Sequence, residues 1–429
     1  MKKVCLVTLG CSKNLVDSEQ ILGLLQYDGY SITTDMDEAD LIVVNTCGFI
    51  EPSKRESISA IFNALQSGKK VVVTGCLVER YEKELKEEIP EVASFIPIHN
   101  YDNFNEFLTV IDNNLPDKYG LRDELRILST KSYSAYLKIG EGCSNRCAYC
   151  AIPLIRGNFK SRPMKDIIKE AKHLAENGVK EIIILEQDTT MYGVDLSKEE
   201  NIVSLMKELV KIEGIKYIRL LYLYPDEITD ELIDMFASEK KILPYFDIPI
   251  QHSETRLLRS MHRRSTRESL ISLFKKIKEK CPTSIFRTTL MVGFPGEKEE
   301  DVDGLIDFMN EIEIDHIGCF TYSREEGTAS YNYPDQIEED VKAKRKERVM
   351  KVAQSVSYRL NKKHIGEVME GMIVGVRDNE YLFRSYWNAP DDVDGNIYVK
   401  SNRPLQEGDD VRVKITEAYV YDLIGEVID

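Results

Sequence analysis

Gly142-Cys143-Ser144-Asn145-Arg146-Cys147-Ala148-Tyr149-Cys150 brings three thiols within eight residues, directly after an apolar, strand-like run from Ala135 to Ile139. The spacing is C-x3-C-x2-C. Zinc sites and ordinary ferredoxin sites normally take four protein ligands, so three in one tight loop leave a metal position free. A cubane iron-sulfur cluster with one iron unligated by protein fits that count, and the open iron can bind a small chelate. A structural zinc knuckle is the competing reading; the aromatic Tyr149 and the barrel-like pattern that follows weigh against it.

Downstream of the loop, strand-like runs at Glu181 to Leu185, Tyr217 to Tyr222, Tyr245 to Ile250, Phe286 to Val292 and His316 to Tyr322 alternate with helical segments such as Met164 to Asn177 and Arg267 to Lys280. With Ala135 to Ile139 they make six βα units, which predicts a partial barrel rather than a closed eight-stranded one. Site residues then belong on loops at the strand ends: Gly140 to Cys150, Gln187-Asp188, Gln251-His252 and Gly293 to Glu297.

Upstream, short β-branched runs at Val4 to Leu9, Leu41 to Val44 and Val71 to Val73 are separated by amphipathic segments, the pattern of an open parallel sheet covered on both faces. Each run leads to a cysteine beside a glycine: Gly10-Cys11, Cys47-Gly48 and Gly75-Cys76. Ligands of open α/β sheets collect beyond the carboxyl ends of the strands, so three strands deliver three thiols to one rim. Cys5, Cys281 and Cys319 stand alone and read as small core hydrophobes.

Lys342 to His364 lacks Gly and Pro and reads as a helix carrying nine Lys+Arg against the single acid Glu347. It is expected either to contact RNA or to pair with the acidic segment beside it. That segment, 365–429, shows short alternating runs (Gly371 to Val376, Asn396 to Val399, Asp410 to Thr416, Gly425 to Ile428) and reads as a small β-barrel of about five strands, of the oligonucleotide-binding size.

A length of 429 residues fits two or three domains. The expected boundaries are 1–126, 132–364 and 365–429. A formal charge of −16, from 57 Lys+Arg against 73 Asp+Glu, argues against a protein that coats nucleic acid by charge alone and favours a basic partner. No apolar run approaches the roughly 18 residues of a membrane span, and no signal peptide is evident; a cytoplasmic protein without membrane contact is expected. Nine cysteines, an odd count in a long chain, make a poor disulfide framework.

The C-x3-C-x-aromatic-C loop resembles the signature of the radical S-adenosylmethionine superfamily. The resemblance implies that Cys143, Cys147 and Cys150 hold a [4Fe-4S] cluster that, once reduced, cleaves bound S-adenosylmethionine to a 5′-deoxyadenosyl radical. Glu186-Gln187-Asp188 resembles the segment that holds the methionine moiety, and Met291-Val292-Gly293-Phe294-Pro295-Gly296-Glu297 the loop that approaches the adenosine. Tyr149, Glu186, Gln187, Gln251, Gly293 and Glu297 are the cosubstrate contacts so implied, although Glu186 stands where that family carries a small residue.

Leu9-Gly10-Cys11-Ser12-Lys13-Asn14-Leu15-Val16-Asp17-Ser18-Glu19, Asn45-Thr46-Cys47-Gly48-Phe49-Ile50 and Gly75-Cys76-Leu77-Val78-Glu79-Arg80-Tyr81 resemble the three cluster-binding motifs of the methylthiotransferases. Across the whole chain this implies an N-terminal methylthiotransferase domain in which Cys11, Cys47 and Cys76 bind an auxiliary [4Fe-4S] cluster, a radical barrel and a C-terminal TRAM domain. One S-adenosylmethionine methylates a sulfur and another yields the radical. Asp17-Ser18-Glu19, Cys47-Gly48-Phe49-Ile50, Tyr222-Leu223-Tyr224-Pro225, Asp247-Ile248-Pro249-Ile250-Gln251-His252 and Ser323-Arg324-Glu325-Glu326-Gly327-Thr328 resemble the branch acting on an aspartate β-carbon of ribosomal protein S12. The other branch modifies an adenosine of transfer RNA.

Charge gives an independent criterion. From His364 to Asp429 there are six basic and fourteen acidic residues, with acids bunched at Asp391-Asp392, Asp394, Glu407, Asp409-Asp410 and Glu417. An RNA groove should be basic, so S12 is the expected partner and direct transfer RNA binding is not expected. A low-potential electron donor such as flavodoxin or ferredoxin completes the implied set of partners. A protein that merely holds two clusters for electron transfer is the alternative from outside the enzymes.

Overall fold

The computed structural model describes residues 2–104, 120–377, 380–390 and 393–428. The chain forms two compact units: Met1–Leu174 with Leu185–Gln187 and Ser323–Tyr331, and Ala175–Ile184 with Asp188–Tyr322 and Asn332–Asp429.

The first unit is built on a five-stranded, all-parallel sheet of order β2-β1-β3-β4-β5, where β1 is Lys3–Thr8, β2 Ser31–Thr33, β3 Leu41–Thr46, β4 Lys70–Gly75 and β5 Ser94–Ile96. Helices α1 (Ser12–Tyr27), α2 (Glu51–Gln66) and α3 (Cys76–Glu88) follow β1, β3 and β4. Every residue of β3 is buried, because both faces are covered. Ile42 and Val44 pack with Ile61, Ala64 and Leu77 on one side, while Leu41 and Val43 pack with Ile21, Leu24 and Leu25 on the other. This strand order is the flavodoxin-like one, with its topological switch between β1 and β3. Both strands end at that crevice, and β4 ends beside it.

All six strands expected for the barrel are present: Ser134–Lys138, Glu181–Leu185, Tyr217–Leu220, Tyr245–Asp247, Ile285–Val292 and His316–Thr321. In the second unit, residues 181–184 run parallel to Tyr217–Leu220, and the last three strands form a parallel sheet. Residues beyond Val368 close into a five-stranded barrel. Its strand Glu380–Arg384 was absent from the sequence reading.

This C-terminal barrel is bonded to the starts of the parallel strands. Arg219, fully buried, donates to the Ser385 carbonyl (2.8 Å), and Arg384 joins Glu181 (2.5 Å). The Tyr245 hydroxyl donates to Asp394 (2.5 Å), which also faces Arg287 (3.2 Å). The expectation that Asp394 belongs to an acidic surface is therefore corrected: it is buried, and neighbouring His316 and Arg287, together with the Tyr245 hydroxyl, outweigh the effect of burial, holding its carboxyl below the usual range. Asp410 is likewise engaged by Lys180 and Lys216. Asp391 and Asp392 lie outside the described residues.

The basic helix spans Glu339–Asn361 and its charges have protein partners of a different kind from those expected. Arg345 reaches Glu297 and Glu299, Arg348 reaches Glu299 and Asp303, and Arg359 and Lys363 reach Glu313. Arg345, Arg348, Arg359 and Lys363 are thus engaged by acids on and around the helix Glu299–Ile312. Among the described residues no helix is long and apolar enough to cross a membrane.

Candidate cluster-binding site

Cys11 caps the start of α1, Cys47 follows β3, and Cys76 is the first residue of α3. Parallel registry holds Thr8 beside Asn45 and Thr46 beside Gly75, so the three cysteine loops leave the sheet side by side. Gly10, at φ +90°, makes their approach possible: a Cβ there would stand 2.9 Å from Cys47 Cβ and 3.1 Å from its sulfur. The Asn14 amide ties two of the loops together by donating to the carbonyls of Leu9 (2.9 Å) and Thr46 (3.0 Å). Ser57 bonds both the N–H and the carbonyl of Cys47 at 2.9 Å. Burial pushes the Cys76 thiol up to about 12; nearby Arg156 opposes that rise and the Cys11 and Cys47 thiols add to it. A thiol so placed loses its proton on binding metal rather than to solvent. The N-termini of α1 and α3 point backbone N–H groups at this rim, which favours a negatively charged occupant.

Cys143, Cys147 and Cys150, all half-buried, belong to the same unit. Cys143 N–H donates to Gly157 O (3.1 Å), Cys150 N–H to Cys147 O (3.0 Å), and Arg146 adopts a left-handed φ of +54°. Such strain in a non-glycine residue is commonly held at functional loops. The chain after Cys150 turns back onto the other thiols: Ala151 and Ile155 pack directly against Cys76.

Between the two cysteine groups lies a charge network that sequence reasoning missed. Lys13 contacts Glu186 (2.5 Å) and Glu141 (3.2 Å); Lys138 contacts Asp17 (2.6 Å) and Glu141 (3.2 Å); Arg156 contacts Asp17 (2.8 Å) and Glu141 (3.0 Å). Three cations meet three anions, which is the balance that burial of charge demands. Burial would raise the Asp17 carboxyl, but Lys138 and Arg156 outweigh it and hold it below its ordinary value. The available signal was Lys13 and Asp17 one helical turn apart, directly after Cys11.

Of the residues expected to meet the cosubstrate, Tyr149 is half-buried in the cysteine loop. Glu186 and Gln187 converge on the Lys13 ammonium, each at 2.5 Å. Glu186 is fully buried, and burial raises its carboxyl pKa while Lys13 opposes that rise. Its Oε2 is buried without a hydrogen-bond partner. In the second unit, Gln251 takes a left-handed φ of +70° and exchanges backbone bonds with Thr289 and Met291. Gly293, at φ +77°, leaves room for Lys342, whose Cγ would lie 2.3 Å from a Cβ there. Glu297 braces that turn, accepting from Gly293 N–H and from Arg345 (3.1 Å). Its other oxygen faces His252 Nε2 at 3.5 Å. His252 Nδ1 accepts from the N–H groups of Ser253 and Glu254, both at 3.0 Å, so Nε2 carries the proton.

Residues 3–97 match the model of the uncharacterized protein family UPF0004, 137–309 that of the radical SAM superfamily and 365–428 that of the TRAM domain. The chain is 45% identical to the ribosomal protein uS12 methylthiotransferase RimO of Clostridioides difficile, over 100% of this chain and 99% of that one. Identity to the Aquifex aeolicus protein of the same name is 47%, over 99% and 96%. The chain belongs to the uS12 methylthiotransferase family. Among solved structures, the radical S-adenosylmethionine methyltransferase TsrM of Kitasatospora setae shares the fold, with a TM-score of 0.57 at 14% identity over 74% of this chain and 73% of that one.

As a uS12 methylthiotransferase family member the chain is a radical S-adenosylmethionine enzyme, and S-adenosylmethionine and a [4Fe-4S] cluster are its cofactors. The donor set fits that chemistry. The two cysteine groups offer thiols, the donor type an iron-sulfur cluster takes. The orphaned Glu186 Oε2 is an acceptor suited to an ammonium group such as the cosubstrate carries.

Proposed function

We propose that this chain transfers a methylthio group to the β-carbon of an aspartate in ribosomal protein uS12, using two [4Fe-4S] clusters and two S-adenosylmethionine-dependent steps, sulfur methylation and C–H activation. Cys143, Cys147 and Cys150 hold the cluster that binds the cosubstrate; Cys11, Cys47 and Cys76 hold the auxiliary one. The observation carrying this reading is the delivery of three thiols from three adjacent strand ends to the switch point of the first sheet, with the segment after Cys150 packed on Cys76.

When bound, the cluster and S-adenosylmethionine supply the homolytic chemistry that an unactivated C–H bond needs and no side chain can provide. The chain's own residues bind, orient and exclude water. In the first unit Glu186 and Gln187, fixed by Lys13, and Tyr149 are the proposed contacts of the methionine end; in the second, Gln251, Gly293 and Glu297 are proposed cosubstrate contacts. Holding a sulfur donor and the target carbon at fixed separation is where the protein gains rate, by making the encounter intramolecular.

The proposed domains are 1–126, 132–364 and 365–429, and the proposed setting is the cytoplasm, with a flavodoxin or ferredoxin as electron donor and no direct transfer RNA binding. The test is mass spectrometry of uS12 and of transfer RNA from cells lacking the gene. Loss of the methylthio mass from uS12 alone is expected; its loss from transfer RNA alone would replace this reading with the adenosine-modifying one.

A further inference from the structure

Arg156 lies six residues beyond Cys150, yet its guanidinium ends 3.9 Å from the sulfur of Cys76. The side chain is buried and fixed by three oxygens: Asn14 Oδ1 (2.7 Å), Asp17 Oδ2 (2.8 Å) and Glu141 Oε1 (3.0 Å). Asn14 in turn ties the loops of Cys11 and Cys47, and its Oδ1 also lies 3.5 Å from Cys76 Sγ. The loop that ligates one cysteine set thus carries a permanent positive charge to the other set.

We propose that Arg156 is a positioning residue that raises the reduction potential of the cluster held by Cys11, Cys47 and Cys76. The proposal rests on the assignment of a cluster to those cysteines. A guanidinium stays charged at any working pH. Metal ligation removes the Cys76 proton and leaves an anionic sulfur. That takes the donor from Asn14 Oδ1, so Arg156 becomes the cation facing both atoms. Adding an electron makes a cluster more negative, so a fixed cation beside its ligand favours the reduced form, and charge and donors around the sulfurs are what set such potentials.

A structural role alone would be to neutralise Asp17 and Glu141. Lys138 already contacts both, and Lys13 contacts Glu141. What Arg156 adds is its reach to sulfur.

The experiment is a redox titration of the reconstituted holoenzyme followed by electron paramagnetic resonance, with sodium dithionite as reductant. Wild type, R156Q, R156K and D17N are compared, and the midpoint missing from C76A marks the cluster concerned. For R156Q we expect the ratio of reduced to oxidised cluster at fixed poise to fall at least tenfold, about 59 mV downward for one electron. R156K should recover most of the shift. D17N, which removes an anion beside the same guanidinium, should move the midpoint upward. The opposite signs separate charge from damage, since misfolding cannot produce both. An R156Q protein with full iron and an unmoved midpoint, an R156K midpoint as low as that of R156Q, or a downward shift in D17N, overturns the proposal. If C76A keeps all its iron and both midpoints, the cluster assignment itself fails.

Discussion

Arg80 offers a sharp test of how the first unit holds the segment Ser323–Tyr331. Its guanidinium contacts Glu325 Oε2 (2.9 Å) with both side chains nearly inaccessible, and also donates to the carbonyls of Gly48 (2.7 Å) and Glu326 (3.0 Å). Replacement by Met keeps the stem and removes the charge. Breaking a buried pair by deleting one partner costs about 3–5 kcal/mol. Here Lys54 remains 3.1 Å from the same carboxylate oxygen and Ser323 still donates to the other (2.7 Å), which places Arg80→Met at the low end, about 3 kcal/mol. With Glu325→Gln in the same chain no bare carboxylate is left, so the double variant should be less destabilised than the sum by about 1–2 kcal/mol. Urea unfolding followed by far-ultraviolet circular dichroism measures the cycle, and the labelling rate of Cys47, next to Gly48, reports local loosening. A single-variant loss below about 0.5 kcal/mol, or strict additivity, would refute this account of the contact.

Other expectations follow from the same structure. Burial pushes the Asp28 carboxyl up to about 6, at the end of α1 and with neither oxygen hydrogen-bonded. Its charge therefore costs stability as pH rises from about 4 through 6, and Asp28→Asn should gain about 1 kcal/mol at pH 7.5, after allowance for solvent screening, and nothing at pH 4, as read by denaturant midpoints. Alanine at Cys143, Cys147 or Cys150 should remove about four irons and abolish 5′-deoxyadenosine formation. Alanine at Cys11, Cys47 or Cys76 should remove the same amount and spare part of that cleavage. Cys5, Cys281 and Cys319, all buried, should keep full iron on replacement by alanine and lose about 1–3 kcal/mol of stability; iron lost from any of them would mean the cysteines are sorted wrongly.

The three-thiol rim was legible because a short β-branched run ending in a cysteine and a glycine has few other readings, and three such runs in a parallel sheet must end on one side. The barrel strands were legible for the same reason of period and length. Glu380–Arg384 was not: its run of Glu, Tyr, Leu, Phe and Arg lies only two residues beyond the previous strand and alternates weakly. The charge network was illegible because Lys13, Asp17 and Arg156 look individually like solvated residues. Their burial comes from partners up to 173 positions away. Asp394 misled in the same manner, since an acidic stretch does not reveal which of its carboxylates folds inward against an arginine.

The attachment of the C-terminal barrel sets an order on the making of the protein. Arg219, Tyr245 and Arg287 leave the ribosome more than a hundred residues before Ser385 and Asp394, the groups they bond. Every growing chain passes through an interval in which the cysteine-bearing first two hundred residues are complete while those polar groups still await their partners. A message truncated before Ser385 would therefore leave Arg219, Tyr245 and Arg287 without those partners at the starts of the strands.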